Sequence, residues 1–290
     1  MNTTEKQALK TIGLTLFFLL TATTLLFAGV QEKVITKVFS PDRSRPLLVK
    51  VRGDGAEVAI SAVERGREGR ARYRYDEAFF SGIMEWDPDQ NRLETILDME
   101  GLDFDSDDDN QESTLDIMLP KGAPIDLDFT LKAGVVDLDA DGLEFSGLEI
   151  SLWAGELQVN FPTPSRSVIR RANVDVKMGE TVIEGLGNVA IEMLDVNGFA
   201  GVCTLDLTGS VKIRRQVRVD MEMGEITVIV PKGATVEARI SKLGFLADVD
   251  LPRSWDRDGR YAYSPGTHSG EADIKLDIRG GIGQITIVER

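Results

Sequence analysis

Six short runs in this 290-residue chain open on glycine and continue as an alternation of apolar and polar residues. They are Gly134–Asp139 (GVVDLD), Gly155–Asn160 (GELQVN), Gly179–Glu184 (GETVIE), Gly201–Asp206 (GVCTLD), Gly224–Ile229 (GEITVI) and Gly283–Val288 (GQITIV). Successive glycines from 134 to 224 lie 155 − 134 = 21, 179 − 155 = 24, 201 − 179 = 22 and 224 − 201 = 23 residues apart. So narrow an interval marks stacked repeats, and it supplies one turn of a coil but not the four strands of a propeller blade, which take roughly 40 residues. In a coil, equivalent residues of neighbouring turns stack about 4.8 Å apart. The second residue after each glycine then forms an internal column: Val136, Leu157, Thr181, Cys203, Ile226.

Around the glycines the dominant signal has period two, which puts every second side chain on one face of a strand. Leu115, Ile117, Leu119, then Ile125, Leu127, Phe129, Leu131, then Leu148, Ile150, Leu152 alternate with Asp116, Asp126, Asp128, Glu149 and Ser151. The beat continues through Val174–Met178, Val217–Met223 and Ile274–Ile287, with no helical period competing, so helix content is expected to be minimal. From about Leu47 to Leu119 the chain keeps strand character (Leu47–Val51, Glu57–Val63, Arg70–Tyr75) without the glycine template, and reads as the first turns with irregular insertions. A coarser echo links Ile117–Ile125 (IMLPKGAPI) to Val228–Val236 (VIVPKGATV).

Residues 1–30 read as a signal peptide or signal anchor. Lys6 and Lys10 precede the apolar run Ile12–Ala28, and polar sequence begins at Gln31. Leu26–Ala28 is a poor cleavage site and the run is at the short limit of a spanning helix, which favours a retained N-terminal hydrophobic helix. The lysines would stay in the cytoplasm and the remainder would cross the membrane.

The net charge of −15 excludes nucleic acid as a partner, since a phosphate backbone requires a basic stripe. Between Asp98 and Glu149 there are 16 acidic residues against Lys121 and Lys132 alone. Within that stretch Asp126, Asp128, Asp137, Asp139 and Asp141 fall on outward positions, where they serve solubility. Asp103, Asp105, Asp107 and Asp109 stand at alternate positions and are the candidates for calcium, whose ligands are oxygens. An EF-hand is not formed, because Asn110 replaces the turn glycine, and a solvated acidic loop is the competing reading.

Catalysis is hard to assemble. His268 is the one histidine and sits in the glycine-rich connection Ser264–Gly270, so neither a zinc set nor a triad is available. A carboxylate pair would need a set separation and a raised pKa, which a solvated stripe does not provide. Cys203, in phase with Leu205 and Leu207, reads as a small buried hydrophobe, and a lone cysteine forms no internal disulfide. Trp86, Trp153 and Trp255 either stack on sugars or plug corners and coil ends; Trp153 is out of phase with Leu152 and points outward. Arg65, Arg67, Arg70, Arg72 and Arg74 make a basic strand.

The Pro-Lys-Gly-Ala turns at Pro120–Ala123 and Pro231–Ala234, Met223–Ile226 (MGEI) and the closing Gly280–Ile285 (GGIGQI) resemble the toastrack, or adhesin-like, families of bacterial envelope proteins. Those families include the C-terminal domains of cell-wall-active antibiotic response proteins. The resemblance covers roughly residues 45–290; the loop Pro252–Glu271 and the acidic insertion near Asp103 depart from it. It implies a right-handed, single-stranded β-solenoid with a polar outer face at the cell envelope, and supplies no catalytic residues and no cofactor.

The expectation is therefore residues 1–30 as export segment, then one all-β solenoid domain over 45–290, of roughly ten turns at about 22 residues each. Its role would be non-catalytic: a binding, adhesin-like or structural module whose partner is an envelope protein or glycan, with the membrane reached through the N-terminal segment. A calcium-dependent acidic adhesive module and a polysaccharide-processing enzyme stand as alternatives.

Overall fold

The computed structural model describes residues 32–64, 66–100, 113–243 and 246–290, and Lys33–Arg290 form one compact unit. In chain order the strands are β1 (Glu32–Phe39), β2 (Leu47–Ala62), β3 (Gly69–Asp76), β4 (Phe80–Asp87), β5 (Arg92–Met99), β6 (Ser113–Leu119), β7 (Pro124–Asp139) and β8 (Glu144–Asn160). There follow β9 (Val168–Glu184), β10 (Ala190–Asp206), β11 (Arg215–Val230), β12 (Val236–Lys242), β13 (Ala247–Asp250), β14 (Asp256–Asp258), β15 (Tyr261–Tyr263) and β16 (Ile274–Glu289). The only helical element among the described residues is a 3-10 turn at Leu186–Asn188. All sixteen strands join one open sheet, as the alternation requires.

Each long strand breaks its alternation midway, and β8, β9 and β10 break it once more near their start, between Phe145 and Leu148, Ile169 and Ala172, and Ile191 and Leu194. β7 buries Ile125, Leu127, Phe129 and Leu131, then Val136 and Leu138, so the interval from Leu131 to Val136 is odd and the inward parity flips. The flip occurs around Gly134, whose φ of 145° is open to glycine and not to a residue with a Cβ. The strand thereby bends, and both arms feed one shared core. The same corner recurs at Gly155, Gly179, Gly201, Gly224 and Gly283.

The long strands stack parallel in the order β2, β7, β8, β9, β10, β11, β16. Glycine lies over glycine throughout: Gly134 pairs with Gly155, Gly155 with Gly179, Gly179 with Gly201, Gly201 with Gly224 and Gly224 with Gly283. The internal column is as the spacing predicts, and Val58 and Ile285 extend it at its two ends. Every member is buried, so each aliphatic one contributes roughly 1.5–3 kcal/mol.

Two expectations are corrected. The regular interval runs through five consecutive levels, β7 to β11, and not through ten turns. Residues 47–119 are also not successive first turns. Leu47–Val51 and Glu57–Val63 belong to the two arms of β2, which stacks directly on β7, with Ala56 beside Gly134. The next level out is split: β5 runs parallel to the first arm of β2 and β6 to the second. Antiparallel β4 and β3 then cover β5 and β6, and β1 lies beyond β3. The opposite end is split in the same way, with β12 and β13 parallel to the two arms of β16, but there antiparallel β15 and then β14 both lie outside β12.

This arrangement explains the sequence echo. From β6 to β7 the chain skips the level held by β2, and from β11 to β12 it skips the level held by β16; both skips use a Pro-Lys-Gly-Ala turn. The end of the intervening strand is held in each case, by Val63 N donating to Leu119 O (2.8 Å) and by Arg290 N donating to Val230 O (3.0 Å). Two tryptophans serve these ends. Trp86 lies 5.3 Å from Phe39 between ring centroids, and buried Trp255 donates from Nε1 to Glu289 Oε1 (2.8 Å).

Among the described residues no helix is long and apolar enough to cross a membrane. The expected N-terminal helix, at Ile12–Ala28, lies outside the described residues.

Candidate functional site: the outer edge of the glycine corner

The parity flip turns a few positions per level outward at the corner, immediately around each glycine. One large apolar side chain occupies them on every level from β8 to β16: Trp153, Met178, Phe199, Met223 and Ile282. Their relative exposures are 61%, 42%, 44%, 39% and 47%, values far from those of a core residue. Strand spacing sets five such levels over about 19 Å. In register Met178 lies between Ala154 and Ala200, and Met223 between Ala200 and Ile282, while Trp153 and Phe199 stand one residue earlier along their strands. Five exposed large apolar side chains grouped along one corner are uncommon on a protein surface unless something covers them.

On the far side of the glycines runs a second column, Glu156, Glu180, Val202 and Glu225, in register from level to level. The ridge is therefore flanked by three carboxylates. At its β16 end the ridge widens into a concavity of about 520 Å³, lined by Phe199, Met221, Met223, Leu243 and Ile282 with Asp220, Lys242 and Arg279 at its rim. That volume lies within the range of small-ligand and side-chain pockets. Asp220 is paired with Arg279 at 3.5 Å, and Glu222 is exposed.

The acidic stretch is partly neutralised by register. Lys50 of β2 lies beside Asp128 of β7, and Arg52 reaches Asp128 Oδ2 at 2.8 Å. Asp141 accepts from Thr163 Oγ1 (2.9 Å) and pairs with Lys121 (3.2 Å), which together hold its carboxyl below the usual range. Asp126, Asp137 and Asp139 are exposed, as their phase requires. Toward β12 the outer face becomes an alternating ladder, Asp195, Arg218, Asp277, Arg239. Neighbouring charges in it lie at 3.2, 3.8 and 4.0 Å.

Of the individual residues singled out by sequence, Cys203 is fully buried and burial pushes its thiol up to about 12, which leaves it inert. His268 is exposed in its loop. Trp153 points outward, whereas Trp86 and Trp255 pack at the two ends. Arg70, Arg72 and Arg74 lie on β3 against β6, where Arg72 pairs in register with Asp116 and Arg74 Nε donates to Thr114 Oγ1 (3.3 Å). Arg65 and the calcium candidates Asp103, Asp105, Asp107 and Asp109 lie outside the described residues. Among the described residues no group of three or more His, Cys, Asp or Glu is placed to hold a metal ion.

Sequence reasoning picked out Trp153 but missed the ridge. The signal was present: each template glycine from 155 to 283 has a large apolar residue one or two positions before it. Strict alternation put Met178 and Met223 on the buried face, in phase with Val174 and Val176 and with Val219 and Met221; both are exposed, because the inward parity flips at the bent backbone around each glycine.

No protein-family model and no curated protein matches the chain. Solved structures similar to it include a "putative cell adhesion protein" from Clostridium sporogenes, 17% identical, covering 90% of this chain and 100% of that one, with a TM-score of 0.46. A "putative adhesin" from Bacteroides fragilis is 13% identical, covering 88% and 97%, with a TM-score of 0.39. A "putative lipid binding protein" from Parabacteroides distasonis is 10% identical, covering 89% and 96%, with a TM-score of 0.37. Similarity at these levels assigns neither a ligand nor a partner.

Proposed function

We propose that this chain is an exported, non-catalytic binding module of the bacterial cell envelope, built as a right-handed single-stranded β-solenoid and tethered or directed by its N-terminal apolar segment. The observation that carries the reading is the ridge: one exposed large apolar side chain per level, over five levels, ending in an apolar concavity. Interaction surfaces are enriched in aromatic residues and methionine relative to the rest of a protein surface, and the ridge combines both. Its non-aromatic members, Met178, Met223 and Ile282, with Leu243 in the concavity, suit a protein partner better than a glycan, whose rings stack chiefly on aromatic faces. The flanking Glu156, Glu180 and Glu225 favour a partner segment with basic residues beside its apolar ones.

The test compares capture of envelope proteins from solubilised membranes by the full chain, by the triple variant Trp153→Ser, Met178→Ser, Phe199→Ser, and by Met118→Ser, an exposed apolar residue elsewhere. The reading expects a partner lost with the triple variant and kept with Met118→Ser. Equal capture by all three removes the ridge as the contact, and elution of the partner by envelope glycan fragments replaces a protein partner by a sugar.

A further inference from the structure

The skipped level near the C-terminal end leaves a second cavity, unrelated to the ridge. β16 takes the level between β11 and β12, while the chain passes from β11 to β12 through the turn Pro231–Ala234. A space of about 500 Å³ opens between this turn and the connection from β10 to β11, beneath the start of β16. In a chain of net charge −15, this space is lined by four cationic residues, Lys212, Arg214, Arg215 and Lys232, against one carboxylate, Asp273, a local balance of 4 − 1 = +3.

Of these four cations only Arg214 is paired with one of the protein's own acids. Asp273 already accepts from Thr235 Oγ1 (3.0 Å) and lies 3.8 Å from Arg214 Nε. Among the described residues Lys212, Arg215 and Lys232 have no ion-pair partner. Arg215 is buried, at 7% exposure, and donates only to the carbonyls of Leu186 (2.6 Å) and Val211 (3.2 Å). Burial without a counter-charge pulls its guanidinium below its ordinary value. The other Pro-Lys-Gly-Ala turn supplies the comparison. There Lys121 is neutralised by Asp141 at 3.2 Å, whereas Lys232, at the equivalent place, is left facing the cavity.

We propose that this cavity is an anion site that takes a phosphate group, held by Lys212, Arg214 and Lys232 over the fixed positive charge of Arg215. A multiply charged oxyanion matches the local surplus, and guanidinium and ammonium donors are the usual partners of phosphate oxygens. The phosphate comes either free or as the headgroup of an anionic lipid, and the chemistry of recognition is the same for both.

The experiment titrates inorganic phosphate into the full chain by calorimetry, with Lys212→Ala/Lys232→Ala as the test variant, since both side chains are exposed and neither is part of the core. Lys121→Ala is the control. The expected result is saturable binding in the wild type and the control, weakened at least about ten-fold in the double variant and by added salt. Absence of phosphate binding, or equal binding by the double variant, overturns the site. A second arm sediments the chain with phosphatidic acid vesicles and with phosphatidylcholine vesicles, the latter reporting any adhesion of the apolar N-terminal run. Extra recruitment to phosphatidic acid that free phosphate competes away assigns the lipid source; phosphate binding without it assigns a soluble one. Because ridge variants leave this cavity intact, its failure and that of the ridge are read independently.

Discussion

Gly201→Ala tests the stacked corner directly. Gly201 has φ 148°, and a Cβ placed there falls on the backbone carbonyl of Gly179 in the level before it, well inside contact distance. Two costs combine. A residue with a Cβ held in this region is strained by about 1–3 kcal/mol. The overlap is with backbone, not with a flexible side chain, so β10 must lift from β9 at the corner; losing two ladder hydrogen bonds adds about 2 kcal/mol. The sum is roughly 3–5 kcal/mol, and at about 2–4 °C per kcal/mol for a unit of this size the melting temperature falls by roughly 6–20 °C. Gly122→Ala separates the two costs, since Gly122 has φ 78° but nothing within 4 Å of the added atom. It should lose only about 1–2 kcal/mol, for the left-handed backbone alone. Thermal unfolding followed by circular dichroism measures both, and equal melting temperatures for the two variants would refute the stacking argument. Ala56 fits the same logic: it stands at the foot of the column, where the next level is split between Leu97 and Thr114 and no described backbone pairs with it from that side.

Two further outcomes follow from the buried and paired groups. Cys203 should resist an aromatic disulfide reagent in the native chain and release one equivalent only on unfolding, because its thiol is fully buried and pushed up to about 12; fast native labelling would place it outside the core. Asp54 is held below its ordinary value, first by Lys132 and also by the amide of Met99, so it contributes stability that is present above about pH 4 and is lost as pH falls through its lower folded value. Lys132 is largely exposed, which keeps the effect small. The denaturation midpoint of the wild type should therefore exceed that of Asp54→Asn at neutral pH and converge on it under acid, whereas a gap constant from neutral to acid pH would contradict the assignment.

The apolar ridge and the cationic cavity were less legible than the strands. Trp153 could be placed outside from its phase alone, but Met178, Met223 and Ile282 sit one residue before a glycine and Phe199 sits two, so they share a face only after the backbone has bent. The cationic cavity joins residues from three separate connections, Lys212 and Arg214, Lys232, and Asp273, and no spacing in the chain anticipates that.

Local chemistry by itself determined the strands, the glycine corners and the internal column. Alternation fixes which face is apolar, glycine admits the corner backbone, and a nearly constant interval between glycines places like over like in a parallel ladder. The tertiary structure alone decided that β2 lies against β7 and that β16 lies between β11 and β12. A parallel strand offers the same row of donors and acceptors to any neighbour of matching length. Its level is therefore set by which edges the rest of the chain leaves open, and that choice is absent from any local stretch of residues.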